Sequence, residues 1–99
     1  MQRLLSLLFV RRVVGGSMAP KLRPGQLIVA TGLFRRLRPG QVVVLRKNDK
    51  ELVKRIEAIE AGRLFVIGDN LAASTDSRQF GWLDRDTVVG RVIMPNLSK

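Results

Sequence analysis

The sequence contains no cysteine and no histidine. Without cysteine the chain can form no disulfide, no thiol nucleophile and no thiolate metal site. Without histidine it can form no Ser-His-Asp triad and no imidazole metal ligand. A hydrolase built from this sequence must therefore take its general base from lysine, aspartate or glutamate, and we expect it to use neither a metal nor another cofactor.

Aromatic residues and long apolar runs are also scarce. Four Phe, one Trp and no Tyr are few for a surface on which nucleic-acid bases stack. The mostly apolar run 4–10 ends at Arg11 and Arg12, whereas a membrane-spanning helix needs about 20 apolar residues. We interpret this run as a short helix or strand that packs on the domain. Alternatively, residues 3–12 lie weakly on a membrane surface, with their arginines near lipid phosphates.

Acidic residues are outnumbered, since 18 Lys and Arg against 8 Asp and Glu give a formal net charge of +10. Such an excess attracts polyanions, either nucleic acid or an anionic membrane. The basic residues are scattered in short clusters, which is typical of a solvated surface rather than of a reader of bases. We therefore expect no specific nucleic-acid partner.

Short β-rich runs separated by Pro-Gly, Gly-Gly and polar turns fill most of the 99 residues. The runs are 27–30, 42–45, 52–59, 63–67 and 87–94. Strands of this length and spacing predict one antiparallel all-β domain, a small barrel-like or sandwich scaffold. We divide the chain into a short apolar and basic N-terminal segment, 1–13, and a single domain, 14–99.

One residue stands out within the predicted strand 52–59. Alternation places Lys54 on the same face of the sheet as Leu52 and Ile56, with Arg55 on the other face. Desolvation by such neighbours lowers the pKa of a lysine, and a neutral lysine can accept a proton. The alternative is a lysine at the rim of the sheet whose stem is buried and whose amine reaches water.

Two further segments could take part in chemistry. Gly15 and Gly16 allow a tight turn that exposes the Ser17 hydroxyl, although Gly-Gly-Ser is also a common flexible loop. The segment 68–78, Gly-Asp-Asn-Leu-Ala-Ala-Ser-Thr-Asp-Ser-Arg, is rich in short hydroxyl and charged side chains. Such loops organise their own backbone by side-chain hydrogen bonds, and they hold catalytic groups in place.

These three segments together resemble the type I signal peptidase family in order and spacing. The resemblance rests on Ser17-Met18-Ala19-Pro20, on Val53-Lys54-Arg55, and on Gly68-Asp69-Asn70-x-x-x-Ser74-x-Asp76-Ser77-Arg78-x-Phe80-Gly81. Within the family, the last segment is similar to that of the small nickel-type superoxide dismutase maturation proteases. The resemblance implies a serine endopeptidase on a coiled antiparallel β scaffold, which removes an N-terminal signal or pro-segment from a precursor bound as an extended strand.

The resemblance also implies roles for individual residues. Ser17 would be the nucleophile, Lys54 the general base, and Ser74 the hydroxyl that orients the Lys54 amine. A supporting ion-pair network would comprise Arg55, Asp76 and Arg78. The backbone N–H of Ser17 would form part of the oxyanion hole, and Met18 would line the substrate cleft.

The sequence departs from the family pattern in three respects. Gly15 stands where many members have a serine that completes the oxyanion hole, and Gln26 and Gln41 stand where aspartates are usual. The sequence shows neither the N-terminal transmembrane anchor nor the long insertions of membrane-bound members. We therefore expect a cytoplasmic or peripherally membrane-associated protease. The alternative is a catalytically inactive basic β-barrel that binds nucleic acid or an anionic membrane.

Overall fold

The computed structural model describes residues 7–97, and these residues are almost entirely β. The strands are β1 (Leu8–Arg12), β2 (Leu27–Thr31), β3 (Val42–Lys47), β4 (Lys50–Glu60), β5 (Arg63–Ile67), β6 (Leu83–Asp84) and β7 (Val88–Met94). One helical turn, α1 (Ser77–Phe80), and two single 3-10 turns, Leu71–Ala73 and Arg85–Thr87, complete the regular structure. The part of the predicted N-terminal segment before residue 7 lies outside the described residues.

The seven strands form one antiparallel sheet in the order β1-β2-β7-β3-β4-β5-β6. Two-residue turns fix the register of the β3–β4 and β4–β5 hairpins. Asn48 and Asp49 have positive φ in the first turn, as do Ala61 and Gly62 in the second, because this backbone twist matches that of the flanking strands. The all-β antiparallel prediction is confirmed, although the sheet of the described residues is not closed into a barrel.

The curled sheet buries two apolar clusters. One contains Met18, Leu22 and Ile28 with residues of β3 and β7. The other contains Leu45, Ile56 and neighbours from β3, β5 and β7. Val53 packs against the first cluster, whereas Leu52 packs against the second. Successive residues at the start of β4 therefore face opposite sides, as the alternation of the sequence predicts.

The predicted alternation of β4 fails beyond Ile56 because of a β-bulge. The register with β5 shifts between Ile56 and Ala58, which leaves Glu57 exposed and without a cross-strand partner in that ladder. The extra residue reverses the faces that follow. Ile59 consequently packs in the same cluster as Ile56, although strict alternation places them on opposite faces.

The apolar run near the N-terminus enters the sheet as its first strand. Leu8–Arg12 pairs along its whole length with β2, and the following Val13 is buried in the first cluster. Among residues 7–97, no helix has the length and apolar character needed to cross a bilayer.

Candidate active site

A cleft of about 630 Å³ lies between the end of β1 and the beginning of β4. Its wall includes Ser17 and Lys54, which the sequence predicts as nucleophile and base, together with Ala73 and Thr75 from the loop after β5. An ion pair between Arg11 of β1 and Glu51 of β4, with Nε and Oε1 2.6 Å apart, connects the two sides.

The amine of Lys54 is buried and held by a hydroxyl. Lys54 is only 4% exposed, and its Nζ donates to Ser74 Oγ over 3.0 Å. Ser74 Oγ in turn donates to Asp76 Oδ2 over 2.6 Å. Since the one hydroxyl proton of Ser74 is committed to Asp76, its oxygen is left to accept from Lys54. The alternative prediction, in which Lys54 lies at the rim of the sheet with its amine in water, is therefore wrong.

Burial lowers the pKa of Lys54 from its ordinary value of 10.5. The negative charge of Asp76 acts in the opposite direction and raises this pKa, while the charge of Arg78 lowers it further. Desolvation is the largest of the three effects, because taking an ammonium out of water disfavours the charged form. The environment therefore favours the neutral amine more than water does.

Asp76 is fully buried and anchors the loop that carries Ser74. Its carboxylate accepts hydrogen bonds from the backbone N–H of Gly68 and from the Nε and Nη2 of Arg78. Burial alone would raise the pKa of Asp76, but the hydrogen bonds from Arg78, Ser74 and two backbone N–H groups hold it well below its usual range. The carboxylate remains charged, so its two oxygens remain acceptors.

The same aspartate starts helix α1. Its side chain accepts from the Arg78 backbone N–H, and its own N–H donates to Gln79 Oε1 over 2.9 Å, which forms a capping box. The Asp-x-x-Gln spacing in the sequence signals this turn, which our sequence analysis missed.

Arg55 has a different partner from the one predicted. Its guanidinium pairs with Asp69 through two bonds of 2.8 Å, and it donates to the carbonyl oxygens of Gly40 and Leu97. The prediction that Arg55 shares one ion-pair network with Asp76 and Arg78 is therefore wrong. Arg55 and Lys54 point to opposite faces of β4, so each reaches a different part of the 68–78 loop.

The turn that carries Ser17 is fixed by Asn70, a residue to which our sequence analysis gave no role. Asn70 Nδ2 donates to the Gly16 carbonyl over 3.0 Å, and the Asn70 backbone N–H donates to the Ser17 carbonyl over 2.8 Å. The Asp69 N–H lies 3.4 Å from Met18 Sδ. These bonds hold the peptide groups around Ser17, while its side chain remains half-buried at the cleft.

Gly68 is packed too closely for any side chain. A Cβ built there would lie 2.3 Å from Ser74 Oγ and 2.6 Å from the Ser17 carbonyl oxygen. The absence of a side chain thus lets the loop of Ser74 and the turn of Ser17 approach each other.

The structure therefore brings Ser17, Lys54, Ser74, Asp76 and Arg78 to one region. Among the described residues, no hydrogen bond joins Ser17 Oγ to Lys54 Nζ, although both side chains border the same cleft. Met18 also borders the cleft, but it is only 1% exposed and packs mainly into the first apolar cluster.

Comparison with known proteins finds a family similarity over part of the chain. Residues 57–97 match the family model described as signal peptidase, peptidase S26. The match includes the loop of Ser74 and Asp76, whereas Ser17 and Lys54 precede it. Among curated proteins, none matches the chain significantly. The family match supports a peptidase of the signal peptidase family.

Proposed function

We propose that the protein is a serine endopeptidase in which Ser17 is the nucleophile and Lys54 the general base. The observation that carries the proposal is the buried Lys54 amine, hydrogen-bonded to Ser74 in the wall of the cleft that Ser17 also borders. Ser74 occupies one amine hydrogen, which leaves the lone pair of a neutral Lys54 available for the proton of Ser17.

The reaction proceeds in two halves. Ser17 Oγ attacks the scissile carbonyl carbon while its proton passes to Lys54 Nζ, and the resulting ammonium protonates the leaving amine as the C–N bond breaks. The product of this half is an ester on Ser17. Water then attacks the ester carbon and gives one proton to Lys54, which returns it to Ser17 Oγ as the acid product leaves.

The oxyanion of each tetrahedral intermediate needs hydrogen-bond donors. The backbone N–H of Ser17 bonds to no other described residue, and we assign it this role. Gly15 has no side chain to add a second donor. Loss of one such donor lowers the rate by about 10²–10³ unless water, backbone or substrate replaces it, so we expect slow turnover.

The substrate is a precursor protein that binds as an extended strand. Two stretches of strand edge border the cleft. One is the outer edge of β1, the first strand of the sheet. The other is residues 50–54 of β4, which pair with β3 but precede the first residue that pairs with β5, Arg55. Within residues 7–97, no further strand pairs with these two edges, and this supports their pairing with a substrate main chain.

The test is cleavage of a precursor followed by intact mass. A precursor of nickel superoxide dismutase is the first substrate we would use, because the 68–78 segment resembles the proteases that mature it. Wild-type protein should remove the N-terminal extension, and Ser17→Ala should not. Thr87→Ala, which removes a hydroxyl outside the cleft, is the matched control and should cleave normally. Equal cleavage by wild type and Ser17→Ala would refute the proposal.

A further inference from the structure

A second pocket of about 230 Å³ adjoins the cleft that Ser17 and Lys54 border. Lys50, Leu52 and Thr75 border both cavities, so the two are adjacent along β4. The second pocket is completed by Phe80 of α1 and by Lys47 and Asn48 of the β3–β4 hairpin. The proposed catalytic steps do not involve the side chains of Lys47, Lys50 or Phe80.

The two lysines of this pocket form an unfavourable pair. Lys47 and Lys50 lie directly opposite each other in the antiparallel register, where like charges destabilise the hairpin. Among the described residues, neither ammonium lies within 4.0 Å of a carboxylate, whereas the neighbouring Arg46 pairs with Glu51. The Lys47 amine lies 4.7 Å from the centre of the Phe80 ring and is placed over the face of that ring.

We propose that this pocket is a subsite for an acidic side chain of the substrate. Its ammonium groups would pair with the carboxylate, and Leu52 and Phe80 would contact the methylene carbons of the side chain. A carboxylate between Lys47 and Lys50 would also relieve their mutual repulsion. The inference rests on the proposed function, because it takes the occupant to be the chain that Ser17 cleaves.

The position of the acidic residue follows from strand geometry. Lys54, Leu52 and Lys50 are successive residues on one face of β4. At about 3.3 Å per residue, Lys50 lies about 13 Å along the strand from Lys54. An extended substrate that runs beside β4 covers this distance in about four residues. The acidic side chain therefore lies about four positions from the scissile bond.

The experiment measures binding without turnover. Fluorescein-labelled, alanine-rich peptides would carry Glu or Gln four positions before or four positions after a central Ala-Ala bond, and Ser17→Ala protein would be titrated against them by anisotropy. We expect Glu at one of these positions to lower Kd about three- to fivefold relative to Gln, the effect of a partly exposed ion pair. Adding Lys47→Glu and Lys50→Glu should abolish or reverse this preference.

Arg36→Glu with Arg38→Glu is the matched control, since it makes the same change in net charge at exposed residues outside both pockets. This control should keep the preference for Glu. Equal binding of Glu and Gln peptides at both positions, no peptide binding, or equal loss of the preference in the control would overturn the subsite. The proposed function is judged separately, by cleavage with wild type and with Ser17→Ala.

Discussion

Lys54 and Arg55 are consecutive in β4, and they bind two different parts of the same loop. Lys54 donates to Ser74 from one face of the strand, while Arg55 pairs with Asp69 from the other. Both interactions are buried, with Arg55 and Asp69 side chains only 5% and 12% exposed. The loop that orients the proposed base is thus attached to the strand that carries it.

Replacing Lys54 with Met should abolish cleavage without weakening the fold. Methionine matches the length of the lysine stem and removes the desolvation penalty, and the Ser74–Asp76 hydrogen bond remains. We expect the free energy of unfolding at pH 7 to be unchanged or raised by about 1 kcal/mol, measured by urea denaturation. A large loss of stability would show that the amine holds the structure together.

The stability difference between Lys54→Met and wild type should also depend on pH. Because the folded-state pKa of Lys54 is lowered, the unfolded chain binds this proton more readily than the folded one. The destabilisation caused by burying the charged Lys54 amine is fully present below the folded-state pKa. It disappears as the pH rises towards the unfolded-state pKa of 10.5. Urea titrations of both proteins should therefore converge at alkaline pH, and a constant difference would contradict the assigned cause.

The rate of cleavage should rise with pH as Lys54 loses its proton. The midpoint of kcat/KM should lie below 10.5, since burial lowers the pKa of this amine. The control is Lys54→Arg, whose guanidinium keeps its charge and should be inactive across the range. A flat wild-type profile between pH 6 and 10 would argue against Lys54 as the base, while leaving Ser17 as a candidate nucleophile.

Adding one methyl group at Gly68 should disrupt the site. In Gly68→Ala, the new Cβ would displace Ser74 Oγ and the Ser17 carbonyl. We expect about 1–3 kcal/mol lower stability and about 100-fold lower kcat/KM, measured by denaturation and peptide cleavage. Gly32→Ala, whose Cβ would meet only ordinary contacts of 3.7 and 3.9 Å, should change neither quantity appreciably.

Replacing Arg55 with lysine should destabilise the fold. Arg55→Lys keeps the charge but loses the paired bonds to Asp69 and the donors that reach Gly40 and Leu97. We expect a loss of about 2–3 kcal/mol in the free energy of unfolding. The exposed Arg36→Lys should cost less than about 0.5 kcal/mol. Equal losses of stability in Arg55→Lys and Arg36→Lys would mean that the Arg55–Asp69 pair contributes little to the free energy of unfolding.

Local patterns predicted β2, β3, β4, β5 and β7 and the faces of Lys54 and Arg55, because alternation and turn residues act over a few positions; they left β1 as a helix or strand and missed the two-residue β6. They did not predict the bulge at Glu57, which depends on how β5 pairs with β4. The Arg55 partner was also missed. Asp69 and Asp76 are both acidic residues of one loop, and only the three-dimensional path of that loop decides which aspartate reaches which face.

Asn70 illustrates a different limit. Its residue type fits a turn, but no local pattern connects it with Gly16, 54 residues earlier. Contacts of this kind arise from the curl of the whole sheet. The capping box at Asp76 differs from this contact, because the Asp-x-x-Gln spacing in the sequence is sufficient to predict it.

The cleft joins residue 17 to residue 54, and the amine of residue 54 is held by residue 74, so the site forms only after β1, β4 and the loop following β5 have assembled. No single hairpin of the sheet contains all three residues. Under the proposed mechanism, a nascent or partly folded copy should be inert, and recovery of proteolysis after dilution from denaturant should report the native fraction.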